Sequence, residues 1–361
     1  MFLSEKTPLL AIDIGSNSIK LAQLIGSKNK LELNAFGVMP LEPEAVEDGI
    51  VKDEEQVVDA LTRLVKAEKV DTRYAVSSVA GEAVIIKKIK VPMMTDEELA
   101  ESISHEAEQY IPFDIDDVQI DYQVLEGVAG GDELHDFEED EEEKQEIILV
   151  AVQNEIIDSR SEVLRAAGLK PVVMDLDVFA TVNALSISRN LEEMGSVAII
   201  DLGGSFTHVS ILMDGVSSFT RDIPIGGNTL TEKLQSQYEL EYRDSESMKL
   251  GLLPESVAKD EVVELIVTSF EPILDEIQKS FEFFSTTSNS QVEQAFLCGG
   301  GAIIPGLDGL MSDRLGLPVE IFDPMESIKV NSRKFDAHSL ARMAPIATVA
   351  VGLARRRFDY L

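Results

Sequence analysis

Two short segments carry the residue types that could hold a polyphosphate. Residues 9–24 read LLAIDIGSNSIKLAQL and residues 197–212 read VAIIDLGGSFTHVSIL, and they align without a gap at an offset of 188. Each gives an apolar strand, an Asp-x-Gly turn, small polar residues and a second strand. Gly15, Gly203 and Gly204 allow tight turns that bring backbone N–H groups close to oxygen anions. Ser16, Asn17, Ser18, Ser205 and Thr207 offer short donors. Lys20 can neutralise phosphate charge, and His208 stands at the matching place in the second copy. Asp13 and Asp201 would repel a bare phosphate. Their presence makes sense if Mg²⁺, keeping several waters, lies between them and a nucleotide.

A third cluster lies near the end. Residues 294–297 lead into Cys298, Gly299, Gly300 and Gly301, so a strand stops at three glycines and leaves bare backbone for a flat purine or a ribose. Glu246 and Lys249 are three apart and share a helical face, which suits either a surface ion pair or a pair touching a nucleoside. Cys298 reads as a core residue, because nothing nearby supplies a general base for a thiolate.

The elements that must position these residues alternate between strand and helix. Residues 9–14, 19–25 and 31–39 have strand character, and Asp53 caps a helix whose Val57, Leu61, Leu64 and Val65 fall on one face. Strands are expected at 76–79 and 84–91. Thr95 and Glu98 form a capping-box pattern opening a helix to Tyr110. Strands at 118–125 and 147–152 follow, then a helix at 156–167 ended by Gly168, with Pro171 and a strand beyond. From 83 to 174 the order is strand, helix, strand, strand, helix, strand, which suits a small α+β subdomain inserted into a larger α/β protein. The repeat at offset 188 implies two related α/β halves facing each other.

Composition narrows the function. The 361 residues hold 66 acidic and 31 basic side chains, a formal charge of -35. That balance argues against a nucleic-acid binder and against an electrostatic anchor on anionic lipid. Hydrophobic residues make up 44% of the chain, ample for a packed core. Residues 132–146 concentrate ten carboxylates against one Lys. With Gly127, Gly130 and Gly131 before them they read as an acidic hairpin tip over 127–146, solvated or meeting a basic partner surface. Cys298 is the sole cysteine, which excludes an intramolecular disulfide and points to a reducing compartment. No targeting segment is expected in the mixed residues 1–8, and 343–354 is shorter than the ~20 residues of a membrane span. A cytoplasmic, soluble protein is expected. His105, on the capped helix, and His135, in the acidic tip, have no zinc-site spacing.

DIGSNSIK, DLGGSFTH and CGGGAIIPG, in that order, resemble the phosphate-1, phosphate-2 and adenosine motifs of the actin-like ATPase superfamily. More narrowly, EAEQYIPFDIDDVQIDYQVL (106–125), MDLDVFATVNAL (174–185) and APIATVAVGLARR (344–356) resemble the PilM family of type IV pilus assembly. The resemblance implies an α/β, actin-like ATPase fold: two related domains around a nucleotide cleft, with an inserted subdomain 1C of the kind PilM and FtsA share in place of actin's 1B. It implies subdomain 1A at 1–82, 172–196 and 335–361, and 1C at 83–171. Subdomain 2A would be 197–227 and 292–334, and 2B would be 228–291. Asp13 and Asp201 would arrange Mg²⁺ through its waters. Gly15, Ser16, Asn17, Ser18 and Lys20 would hold the ATP phosphates from one side, and Gly203, Gly204, Ser205 and Thr207 from the other. Glu246 and Lys249 would touch ribose and adenine over Gly299, Gly300 and Gly301. The water-orienting acid of hydrolytic relatives is usually Glu before Pro; here Asp177 precedes Val178, one methylene shorter, so ATP binding with weak or no hydrolysis is expected. The implied role is a cytoplasmic scaffold, peripheral at the inner membrane, that binds the N-terminal tail of a PilN-like inner-membrane protein and faces the pilus motors.

Rival readings remain open. DIGSNS also begins exopolyphosphatase-like phosphohydrolases, which usually carry a Glu in the second loop where this chain has Phe206, Thr207 and His208. A sugar kinase would need a catalytic Asp between the phosphate motifs, for which Asp175 and Asp177 are the candidates. An FtsA-like division protein typically ends in an amphipathic membrane helix, whereas the ending at 355–361 is too short for one.

Overall fold

The computed structural model describes residues 9–27, 30–125 and 144–356; most of the acidic tip, with Gly127, Gly130, Gly131 and His135, lies outside them. The chain divides into two compact units. One joins the residues up to Gly81 with those from Arg160 onward, and the other is Glu82–Ser159.

The larger unit contains the same five-stranded sheet twice. In the first the order is Lys170–Leu176, Tyr74–Val79, Leu10–Ile14, Ser18–Ser27, Lys30–Pro40; in the second it is Val319–Ile321, Gln294–Cys298, Ser196–Leu202, Thr207–Met213, Val216–Ile223. Each begins with an antiparallel meander of three strands. The first strand of each meander then pairs in parallel with a later strand, which pairs in parallel with another. Parallel partners need long crossovers, and these supply one covering helix for each sheet, Glu54–Glu68 and Lys259–Ser288. The central strands LAIDI and SVAIIDL are buried at every position, as expected of strands covered on both faces. Register also repeats: Asp13 lies opposite Lys20, and Asp201 opposite His208.

Helices close each sheet from both sides. On the first, Val57, Leu61 and Leu64 of helix Glu54–Glu68 cover one face, and Val349, Val351 and Leu353 of helix Thr348–Ala354 the other. Asp53 caps the former by accepting from the Gln56 N–H at 3.0 Å. On the second, Phe270, Ile273 and Ile277 of helix Lys259–Ser288 cover one face, and Ala184 and Leu185 of helix Asp177–Ser188 the other. Helices Thr348–Ala354 and Asp177–Ser188 also pack on each other. A Cβ at Gly352 would overlap the Ala180 carbonyl, so only glycine allows this approach, which fixes Asp177 at its helix start. Among the described residues no single helix is long and apolar enough to cross a membrane.

The smaller unit is a three-stranded antiparallel sheet, Val84–Pro92, Lys144–Gln153 and Val118–Val124, with Lys144–Gln153 at the centre. Helix Asp96–Ala107 packs Leu99, Ile103 and Ala107 against Ile89, Val91, Ile147 and Leu149. The Thr95–Glu98 capping box is present, with the Glu98 carboxylate accepting the Thr95 N–H at 2.9 Å. The helix stops short of the expected Tyr110, because the Tyr110 and Ile111 N–H groups both turn back to the Ala107 carbonyl. Exposed His105 lies 3.7 Å from Glu108.

Candidate functional site

The two repeated hairpins meet in the larger unit. Between them lies a cavity of about 260 Å³, near the lower end of the ~300–1,000 Å³ usual for small-molecule sites. Its wall takes Asp13 and Gly15–Ser18 with Lys20 from one hairpin, and Asp201, Gly203, Gly204 and His208 from the other. The tips touch: the Asn17 amide donates to the Asn228 side chain at 2.7 Å, and a Cβ on Gly204 would lie 2.8 Å from Asn17.

One end of the cavity is crowded with charge. Lys20 reaches Asp13 at 3.3 Å. Burial pushes the Asp13 carboxyl above its usual range, Lys20 opposes that, and the field of Asp177 adds to it. Burial likewise raises Asp201 to about 6; His208 opposes this, while Asp177 and Asp13 reinforce it. His208 has turned to Asp222, donating from Nδ1 at 2.7 Å. Burial alone would lower the imidazole, but the Asp222 hydrogen bond and the fields of Asp222, Asp201 and Asp177 hold it up at about 9. The second Asp222 oxygen accepts the Gly81 N–H at 3.0 Å.

The other end is bare backbone. Gly299, Gly300 and Gly301 line it, and a Cβ on Gly300 would project into open space with nothing within 4 Å. A Cβ on Gly301 would instead overlap Leu202. Glu246 and Lys249, at the end of helix Tyr242–Lys249, pair at 2.5 Å. Both bond the Thr231 hydroxyl, and Lys249 is only 6% exposed, so this is not a surface ion pair. Cys298 is buried and its thiol is pushed well up, consistent with a core role.

Most residues singled out from the sequence therefore converge on one cavity; Ser205 and Thr207 do not line it. Thr207 is fully buried and donates its hydroxyl to the Ile225 carbonyl at 2.8 Å, while Ser205 is a 3.4 Å partner of the Asn228 amide. Strand alternation gives the reason. Thr207 lies opposite the core residue Leu202, whereas His208 lies opposite Asp201 and faces the cavity. Sequence reading missed Arg160, the His208–Asp222 pair and Gly227. Of these, Gly227 was signalled, since Gly226 and Gly227 precede helix Asn228–Tyr238 and dock against the second loop (Gly227 N–H to the Gly203 carbonyl, 2.9 Å).

The residues fit a magnesium nucleotide. Glycine backbone and an open Gly300 face offer room at one end, and Lys20 with Asp13, Asp177 and Asp201 stands at the other. Among the described residues no three His, Cys, Asp or Glu side chains come close enough to enclose a metal ion. That donor set suits a Mg²⁺ that keeps its waters and leans on phosphate.

Two copies of one meander-plus-crossover sheet, with Asp-x-Gly hairpins opposed across a cavity, define the actin-like ATPase fold. A structure of MreB5 from Spiroplasma citri bound to ADP shares that fold with a TM-score of 0.50, at 14% identity over 97% of this chain and 95% of that one. The cell division protein FtsA of Bacillus subtilis (strain 168) is 22% identical over 351 residues, 87% of this chain and 78% of that protein. A solved PilM–PilN type IV pilus biogenesis complex contains a chain that matches with a TM-score of 0.84 and 27% identity, over 97% of this chain and 98% of that one. The family model for type IV pilus assembly protein PilM matches residues 11–358, so the chain belongs to the PilM family.

Proposed function

We propose that this chain binds Mg-ATP in the cavity and acts as a cytoplasmic scaffold of a type IV pilus machine. It holds the N-terminal cytoplasmic tail of a PilN-like inner-membrane protein and links it to the motor side, so it sits at the inner membrane through its partner. The observation carrying this reading is the whole-chain likeness to PilM from a PilM–PilN complex, at a TM-score of 0.84. In this reading subdomain 1C, expected at 83–171, takes in the smaller unit Glu82–Ser159 and contributes to the tail groove.

Within the cavity, Gly15–Ser18 and Lys20 hold phosphate oxygens from one side, with Gly203 and Gly204 on the other. Asp13 and Asp201 orient the waters of Mg²⁺. Glu246 and Lys249 meet ribose and base over Gly299–Gly301. ATP supplies a charged ligand that bridges the two hairpins and so favours the closed cleft. Asp177, the first residue of its helix, is the candidate for orienting water. Its short side chain suits slow turnover, and hydrolysis at several per second without partners would overturn that part.

A tail peptide from the PilN-like protein, titrated into the protein with and without Mg-ATP, tests the scaffold reading. Binding that tightens with Mg-ATP supports a linked scaffold, because a ligand shifts the partner site only if the two states bind the tail differently. Equal affinities remove the link, and no tail binding removes the role. Nucleotide content of the wild type against Asp13→Ala tests the cavity separately.

A further inference from the structure

Helix Asn228–Tyr238 begins against the second phosphate loop: the Gly227 and Asn228 N–H groups donate to the Gly203 and Gly204 carbonyls, each at 2.9 Å. One turn into it stands Thr231, 1% exposed. A threonine inside a helix ordinarily spends its hydroxyl on the carbonyl four residues back. The Thr231 hydroxyl does lie 3.3 Å from the Gly227 carbonyl, but its two shorter contacts are on another helix. It donates to Glu246 Oε1 at 2.5 Å and accepts from Lys249 Nζ at 2.9 Å. Lys249 in turn meets the same Glu246 oxygen at 2.5 Å and the Gly227 carbonyl at 3.5 Å.

The contacts on Glu246 are one-sided. Thr231 and Lys249 both bind Oε1, while Oε2 takes no hydrogen bond from the described residues. The side chain is 27% exposed and lines the cavity, so the carboxylate is held by one oxygen and keeps the other for a ligand. Fixing it in advance removes the cost of ordering that side chain when a ligand binds. Thr231 itself does not line the cavity, so any influence it has on a ligand passes through the pair.

We propose that Thr231 is a positioning residue for the nucleoside end: it holds the Glu246–Lys249 pair in the geometry that meets the ligand, and touches no ligand itself. This rests on the nucleotide reading above and adds to it the residue that preorganises that end. The same turn of helix backs Gly203 and Gly204, so the second phosphate loop and the nucleoside pair are anchored to one element.

The test is calorimetric titration of Mg-ATP into the full chain, Thr231→Val, Thr231→Ser, and a pairless variant, Glu246→Ala with Lys249→Met, with and without Thr231→Val. Removing the pair whole avoids leaving a lone buried charge. Thr231→Val keeps the shape but loses the hydroxyl, and affinity falls about tenfold, the worth of one hydrogen bond. Thr231→Ser restores the hydroxyl and stays within about threefold of the wild type. In the pairless variant, Thr231→Val changes affinity by less than about twofold, because nothing is left to position. An equal fold-loss in both backgrounds, a loss under about threefold in Thr231→Val, or no rescue by Thr231→Ser means that Thr231 only supports the fold, and the proposal is wrong. Should Thr231→Val not fold, Thr231→Cys, of similar size and a weak donor, carries the same comparison. A wild type that binds Mg-ATP no better than the pairless variant overturns the proposal alone; a wild type that binds no nucleotide overturns the nucleotide reading with it.

Discussion

The two repeated hairpins share a backbone and differ in charge. In the first, the residue opposite the buried Asp is Lys20, and it reaches Asp13 across the strand pair at 3.3 Å. In the second, the residue opposite is His208, which has turned away to Asp222 and leaves Asp201 without a bonded cation. Burial raises the Asp201 carboxyl to about 6 against the opposing field of His208, and the Asp222 hydrogen bond and nearby carboxylates hold the imidazole at about 9. The same backbone geometry thus stands on both sides of the cavity with a different charge arrangement on each. The first hairpin keeps a cation beside its carboxylate, while the second presents a carboxylate whose charge changes near pH 6.

Breaking the second hairpin's own pair has the largest expected effect. His208→Ala leaves Asp222 without its partner and costs roughly 3 kcal/mol of stability, as removal of one member of a buried pair does. Chemical denaturation of His208→Ala, Asp222→Asn and the double variant checks this. The double variant is less unstable than the sum of the singles if the pair is what matters. The sign with pH is fixed: a His raised from 6.5 to about 9 adds stability in full below about 6.5, and that stability is lost as pH rises through about 9. Wild-type stability should therefore fall between those limits, and that slope should vanish in His208→Ala.

Next comes the first hairpin. Lys20→Met removes a cation from the carboxylate end and should lower Mg-ATP affinity by about 30-fold, about 2 kcal/mol. Calorimetric titration measures it. His208→Met should lower the affinity far less, because that cation is already committed to Asp222. Equal losses would mean that the hairpins remain functionally equivalent.

Asp201 sharpens the contrast through pH. Its folded pKa lies above the ordinary 3.8, so the folded state binds the proton more tightly. Stability of the protein without nucleotide should fall as pH rises from about 4 to about 6, by on the order of 1–2 kcal/mol. Mg²⁺-dependent nucleotide affinity should run the opposite way and rise over the same window, since the ionised carboxylate is the form that attracts the hydrated cation. Asp201→Asn should flatten both profiles; if the affinity profile of Asp201→Asn kept its slope, another group would be responsible.

What the sequence disclosed follows from the range of each signal. The repeat, the Asp-x-Gly turns, the three glycines and the Thr95–Glu98 cap are local patterns, and the sheets and cavity place them as those patterns imply. The His208–Asp222 pair depends on a third strand folding back beside the second, and the position of Arg160 on two carbonyls more than a hundred residues earlier. No local spacing encodes such contacts. The role of Glu246 and Lys249 stayed open for the same reason, because both are tied to Thr231 of helix Asn228–Tyr238, a contact their own helix does not encode.

Thr207 was legible and misread, which makes it the smallest and most specific test of the comparison. Its counterpart at the offset of 188 is Ile19, and both are fully buried. Period-two alternation puts Thr207 on the face of Leu202, toward the core, once Asp201 and His208 are placed toward the cavity. Thr207→Val makes the second hairpin more like the first at this position and removes one hydrogen bond to the Ile225 carbonyl. It should cost about 1 kcal/mol of stability and leave Mg-ATP affinity within a factor of about two. A drop in affinity beyond about tenfold, with stability intact, would return Thr207 to the phosphate side and reverse the inward orientation on which the contrast between the two hairpins depends.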